Sequence, residues 1–307
     1  MHVSLRTQPG LQTLGFGTYG EVYNVDDHVV LKSPRVFIPP QSAGSATEKW
    51  LYASDSIFHF NLMRNERIVL RLLEQRPHPN LVEPINTDCL EGVYLRKYLT
   101  LSQIPSSTQQ TRITWYQDII KALQHLHDVG IAHGDVRIDN ILFNDQGRAV
   151  LCDFSAACPF GHPNPGPGYS PNLPFPTNGI ADVFSDATDR FALASLMFYL
   201  EVGRKPDLAV DSDGVLVLPL VATQHEGVDC MIKKAWLGQY TSTAQMLEDT
   251  YALCYPGARH PTSTTHTVPR KILRDRVRDW RTSREDRYGC VIDGLPTEDE
   301  LSRLRTS

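Results

Sequence analysis

The spacing of apolar residues divides the chain into a strand-rich beginning and a helix-rich remainder. Residues 11–35 carry short apolar runs around a glycine-rich turn, LGFGTYGEVY followed by VVLK, and the run breaks at Pro34. That pattern predicts strands joined by a tight turn. Residues 35–50, rich in Pro, Ser and Ala, predict a mobile loop insertion. Ile57, Leu62, Ile68, Val69, Leu72 and Leu73 predict a helix over 57–75, after which HPNLV turns into the short apolar segments 81–86 and 92–99. From Thr111 to Asp128 the positions Ile113, Tyr116, Ile119, Ile120, Leu123 and Leu126 keep helical spacing, with Gly130 as a stop signal. Ile141–Phe143 and Ala149–Cys152 flank NDQGR and predict a hairpin. Residues 159–179 are dominated by Pro and Gly, which excludes a regular element. Asp189 to Val202 is apolar nearly all round and predicts a buried helix; two more helices are expected over 226–237 and 242–254.

Beyond Pro256 the pattern changes. PGARHPTSTTHTVP reads as a linker, and eight Lys/Arg then fall between Arg270 and Arg287, interleaved with Asp275, Asp279, Glu285 and Asp286. Ile272, Leu273, Val277 and Trp280 give this stretch a modest apolar stripe. The expectation is a solvated helix of mixed charge; docking on the rest of the chain or on an acidic partner is the alternative.

Composition narrows the class. The chain has 307 residues, 41% hydrophobic and 21% charged, enough to bury a sizeable core. A net charge of -5 carries no overall basic footprint for nucleic acid. The longest apolar stretch, Phe191 to Leu200, is too short to span a membrane. MHVSLRTQPG lacks the apolar centre of a secretion signal, and the six cysteines form no C-x-x-C pair. A cytoplasmic or nuclear protein, not a secreted one, is expected.

Two motifs carry chemistry. Gly15, Gly17 and Gly20, followed by Val22, form G-x-G-x-x-G-x-V. Glycines let a backbone approach phosphates closely with its N–H groups free to donate. Strand-like residues and Lys32 follow rather than a helix, so the loop reads as a hairpin lid and not as a dinucleotide fold. The second motif is His133-Gly-Asp135-Val-Arg137-Ile-Asp-Asn140, followed by Cys152-Asp153-Phe154-Ser155. Asp135, Asn140 and Asp153 offer oxygen donors of the kind that a hard cation such as Mg²⁺ prefers. An aspartate among them can accept a proton from a hydroxyl nucleophile or orient it.

Together with HPNLV, GYSP and DRFALASLMFYLEVGRKP, these motifs resemble the protein kinase superfamily from about Leu11 to Leu253. The resemblance implies an α+β, bilobal fold, with a small β-rich lobe at about 11–98, a larger helical lobe at about 99–255, and ATP in the cleft. Residues 256–307 would then be a separate tail, partly helical or disordered. It also implies roles. Lys32 would hold the α- and β-phosphates with Glu66 as its helix partner, and Asp135 would be the catalytic aspartate. Asn140 and Asp153 would bind Mg²⁺. Arg137 would sit where a lysine usually contacts the transferred phosphate. Val22, Val30 and Leu142 would sandwich the adenine, Phe154, His133 and Leu70 would form an internal spine, and Asp189 would be the buried helix aspartate. The implied activity is ATP-dependent transfer of a phosphoryl group to a protein hydroxyl, Ser/Thr in type.

Several positions depart from the family pattern. Gly134 replaces the Arg of H-R-D, Ser155 the Gly of D-F-G, and Val30 the small Ala of V-A-I-K. GYSPNLP lacks the Glu of A-P-E, and AWLGQYTST lacks the Arg that pairs with it, so neither partner is stranded. The stretch after Gly203 is short and contains VLVLPL in place of a substrate-docking helix. Between Ala156 and Gly168 there is no Ser, Thr or Tyr, which leaves Ser155, Tyr169, Ser170 and Thr177 as modification candidates. A non-catalytic nucleotide-binding scaffold and a small-molecule phosphotransferase are the alternative functions.

Overall fold

The computed structural model describes residues 5–6, 8, 10–16, 20–41, 44–165, 175–253, 268–289, 291–292 and 297–306. In chain order the elements are β1 (Thr13–Phe16), β2 (Gly20–Asn24), β3 (Val29–Pro34), α1 (Ala46–Gln75), β4 (Pro84–Asn86) and β5 (Val93–Arg96). Then come α2 (Gln109–His127), β6 (Ile131–Ala132), β7 (Ile141–Phe143), β8 (Ala149–Leu151), β9 (Cys158–Pro159) and α3 (Asp186–Val202). Last are β10 (Ala209–Val210), β11 (Leu216–Val217), α4 (Glu226–Trp236), α5 (Thr243–Ala252), α6 (Arg270–Tyr288) and α7 (Glu298–Thr306). They fall into two compact units, one of residues 1–77, 83–97 and 266–307, the other of 78–82 and 98–265. The first is sheet-rich and the second helical, as the α+β reading expects.

In the first unit five antiparallel strands run in the order β1-β2-β3-β5-β4. Every residue of β3 is buried, so both faces of this strand are covered. Val29 and Leu31 share one apolar cluster with Tyr23, Ile85, Cys89 and Tyr94 of the sheet and Leu273 and Val277 of α6. Trp280 packs against the same cluster, edge to face with Tyr94 at 6.0 Å. The stretch beyond Pro256 therefore holds a helix that docks on the sheet-rich unit, the alternative to a solvated helix: Leu273 and Val277 of its apolar stripe are buried core and Trp280 is partly buried, whereas Ile272 is exposed. Apolar spacing under-reads this docking because Leu273, Val277 and Trp280 suffice when the sheet supplies the rest of the cluster. Several α6 arginines pair with acids of this same unit: Arg281 with Glu91 (3.2 Å), Arg274 with Glu74 (3.3 Å) and Arg276 with Asp26 (3.8 Å).

Helix α1 begins eleven residues before the expected start at 57, at Ala46. Ser45 and Glu48 form a capping box that satisfies the first-turn N–H groups. The buried face runs Ala53, Ser56, His59, Met63, Glu66, Val69, Leu70, Leu73. Its first half contains polar residues, so apolar spacing alone misses it, and Ile68, counted as apolar face, is 60% exposed. The expected loop insertion is thus partly helix. Before the helix, Val36 and Phe37 are buried, Arg6 N–H donates to Val36 O at 2.8 Å, and Phe37 lies 5.4 Å from the His59 ring.

In the second unit α2 and α3 are central. Buried Asp118 on α2 binds Arg148, and buried Tyr116 donates to Glu201 of α3 at 2.6 Å. β7 and β8 form the expected hairpin. Residues 78–82 belong here rather than with the strands: Val82 N–H donates to Leu151 O at 3.0 Å, and the Asn80 amide to Ala149 O at 2.9 Å. After Gly203 a small hairpin of β10 and β11 precedes α4, in line with the strand-like reading of VLVLPL. No helix among the described residues is long and apolar enough to cross a membrane.

Candidate active site

In the sheet-rich unit, β3 presents Lys32 and α1 presents Glu66. The Lys32 Nζ lies 2.7 Å from Glu66 Oε2 and 2.8 Å from Oε1. Lys32 is 7% and Glu66 1% exposed, so neither charge is solvated and each depends on the other. β2 pairs with β3 so that Val22 faces Lys32 and Gly20 faces Pro34. A Cβ on Gly20 would meet Ser33 O at 2.7 Å, so glycine is required there by the approach of β3. A Cβ on Gly15 would meet no described residue within 4 Å. Packing against the described residues therefore does not explain that glycine. Gly17 lies outside the described residues. Val22 is half-buried and Val30 is buried.

In the helical unit, the segment from His133 to Asn140 is held from below by Asp189 of α3. This fully buried carboxylate accepts from His133 N–H (2.7 Å), Gly134 N–H (2.9 Å) and the His127 ring (2.9 Å). Burial alone would raise the Asp189 pKa; the His127 hydrogen bond and charge, with the Gly134 N–H, outweigh it and hold the group below the usual carboxylate range. Gly134 has φ +76, and a Cβ there would lie 2.7 Å from Ala156 O. The backbone at this position is thus built around glycine. His133 is a packed core histidine: it accepts from Asp135 N–H at 3.3 Å, donates to Cys152 O at 3.1 Å and stacks edge-on with Phe154 at 5.5 Å.

Asn140 donates through Nδ2 to both Asp135 O (2.8 Å) and Asp135 Oδ2 (2.9 Å). That fixes the amide so that Oδ1 is the atom it presents to a cation. Asp153 follows β8 with φ +67, the only non-glycine positive φ among the described residues. Aspartate is one of the few side-chain-bearing residues that tolerate this left-handed conformation. Arg137, half-exposed, pairs at 2.7 Å with exposed Asp139 rather than with Asp135. Leu142, in β7, is half-buried. No group of three or more His, Cys, Asp or Glu suited to a metal occurs among the described residues. Two oxygen donors, Asn140 and Asp153, fit Mg²⁺, which keeps waters and phosphate oxygens in its shell instead of an all-protein cage. The GYSP segment, with Tyr169 and Ser170, lies outside the described residues.

Three contributors were not legible in the sequence. His127 bridges Asp189 and Thr243 Oγ1 (2.8 Å), and its only signal is its place at the end of α2. Buried Arg190 binds Asp186, Thr243 and Tyr240 O, filling the neighbourhood of AWLGQYTST where the family pattern has its own arginine. Ser155 donates to Asp153.

The model of the protein kinase domain matches residues 10–206. A mitogen-activated protein kinase kinase kinase of Aspergillus fumigatus is 32% identical over 165 residues, 47% of this chain and 9% of that protein. Mitogen-activated protein kinase kinase kinase 3 of Arabidopsis thaliana is 27% identical over 168 residues, 50% of this chain and 24% of that protein. A serine/threonine-protein kinase of Xenopus laevis is 27% identical over 161 residues, 47% of this chain and 32% of that protein. The chain thus spans a third or less of the length of these relatives. With the family pattern matched over most of its length and both halves of the motif set in ordered geometry, the chain belongs to the protein kinase family.

Proposed function

We propose that the chain is an ATP-dependent kinase that transfers the γ-phosphoryl group to a Ser or Thr hydroxyl of a protein. The observation that carries this reading is the buried Lys32–Glu66 ion pair at 2.7 Å. In kinases this pair must be in place for the lysine to hold the nucleotide phosphates. Lys32 contacts the α- and β-phosphates, under a loop carrying Gly15, Gly17 and Gly20, and Val22, Val30 and Leu142 contact the adenine. Asp135, steadied by the Asn140 amide, orients the acceptor hydroxyl and takes its proton. Asn140 and Asp153 hold Mg²⁺, which when bound neutralises charge on the transferring phosphoryl group. Arg137 supports that phosphate. Likeness to a serine/threonine-protein kinase of Xenopus laevis supports the Ser/Thr acceptor, and the scattered cysteines support a cytoplasmic or nuclear site of action.

A second reading, a nucleotide-binding scaffold without catalysis, is favoured by one observation: Gly134, at φ +76, stands where the family pattern has an arginine. Phosphoryl transfer from labelled ATP to a panel of protein acceptors and small alcohols separates these readings. Asp153→Asn should reduce protein phosphorylation by about a hundredfold or more, the scale of losing one electrostatic contributor. Asp153→Asn turning over at the wild-type rate, or transfer confined to small alcohols, would refute the proposal. Binding of ATP with no transfer at all would establish the scaffold.

A further inference from the structure

Ser155 stands where the D-F-G pattern has glycine. Its Oγ donates to Asp153 Oδ1 at 2.7 Å and its backbone N–H reaches the same oxygen at 3.2 Å. The residue is 3% exposed, so water does not compete for this bond. Asp153 itself sits at φ +67, a left-handed conformation that side-chain-bearing residues adopt at a cost and that aspartate tolerates through short local hydrogen bonds. Two donors from one residue converging on one carboxylate oxygen fix both the backbone turn and the rotation of the carboxylate. A glycine in this place supplies the N–H alone.

We infer that Ser155 is a positioning residue for the divalent cation: its hydroxyl holds the Asp153 carboxylate in its binding orientation before metal and nucleotide arrive. A ligand already oriented loses less freedom on binding. The inference rests on the proposed nucleotide-binding function. The competing account is that Ser155 satisfies its own buried hydroxyl and stabilises the fold without affecting the cation.

The two accounts separate in a magnesium titration. Full-length wild type, Ser155→Ala, Ser155→Gly and Ser155→Thr are mixed with a fixed concentration of ADP and increasing MgCl₂, and the ADP-dependent rise in melting temperature is followed. Ser155→Ala and Ser155→Gly should each need about tenfold more Mg²⁺ for the half-maximal rise, the scale of one hydrogen bond to a charged group. Ser155→Thr, which keeps the hydroxyl, should stay within about threefold of wild type if it folds; if it does not, Ala and Gly together decide. ADP affinity without a divalent cation should be the same in all folded variants. An unchanged Mg²⁺ midpoint in Ser155→Ala and Ser155→Gly, even with a lower melting temperature, overturns the inference and leaves the proposed function standing. A folded Ser155→Thr as impaired as Ser155→Ala also overturns it. Wild type that shows no Mg²⁺-dependent response to ADP overturns both.

Discussion

Truncating Leu273 tests whether the end of the chain is structural core. Leu273 is fully buried in the cluster with Tyr23, Val29, Leu31, Ile85 and Tyr94, whereas its neighbour Ile272, about 100° round the same helix, is 47% exposed. Leu273→Ala removes three carbons from a sealed site and leaves a cavity, a change that costs about 2–5 kcal/mol. Ile272→Ala removes three carbons from a surface site, and such changes lie within about 0.5 kcal/mol. Helix propensity favours alanine slightly at both positions, so it does not create the difference. The expected gap between the variants is therefore about 2 kcal/mol or more, roughly 4 °C or more in melting temperature for a unit of this size. Urea unfolding followed by tryptophan fluorescence is a suitable assay, because Trp280 packs against Tyr94 in the same cluster and reports on it. Equal, small effects for Leu273→Ala and Ile272→Ala would refute the packed arrangement and restore a solvated helix.

Three further outcomes are expected. Lys32→Met should destabilise the protein by about 3 kcal/mol besides abolishing phosphoryl transfer, because Glu66 loses its lysine in a dry site; adding Glu66→Gln should recover most of the stability and none of the activity. Equal stability of Lys32→Met and wild type by urea unfolding would contradict this. Burial pushes the His78 pKa from 6.5 down to about 4, helped by the charges of His125, stacked on it at 5.0 Å, and Lys121. The unfolded chain then binds more protons than the folded one between these two values, so this contribution is complete above pH 6.5 and is lost as pH falls toward 4. His78→Gln should lose about 1 kcal/mol less stability than wild type between about pH 7.5 and pH 5, after discounting for partial solvent exposure; parallel pH profiles would sink the assignment. Finally, phosphatase treatment should leave turnover within about twofold, since Gly134 has no side chain to clasp a loop phosphate and Ser155 is buried. A large loss, restored by phosphorylating Tyr169 or Ser170, would show the opposite.

How much was legible in advance differs from element to element. Helices α2, α3, α4 and α5 and the hairpin of β7 and β8 are local consequences of spacing and turn residues, and all stand within a few residues of their expected bounds. The Lys32–Glu66 pair was legible only through the family resemblance, since nothing in a lone glutamate on a helix says that a lysine 34 positions away will meet it. Residues 46–56 of α1 escape apolar spacing because only Ala53 and Ser56 in that stretch are buried, too few and too polar to set an apolar period. The capping box at Ser45 and Glu48 was the overlooked signal.

The sequence by itself determined most of the elements, the family and the residues proposed for the site, because these depend on neighbours a few residues apart or on motifs of fixed spacing. Only the tertiary structure decided which partners those elements take. It set HPNLV against β8 and seated α6 on the sheet. It gave Asp189 the His127 ring as well as two backbone N–H groups, and it turned the Ser155 hydroxyl onto Asp153. Each of these joins residues through burial, where an apolar face or a polar group must find a complement whatever its distance along the chain. That requirement is met by packing, and local pattern does not carry it.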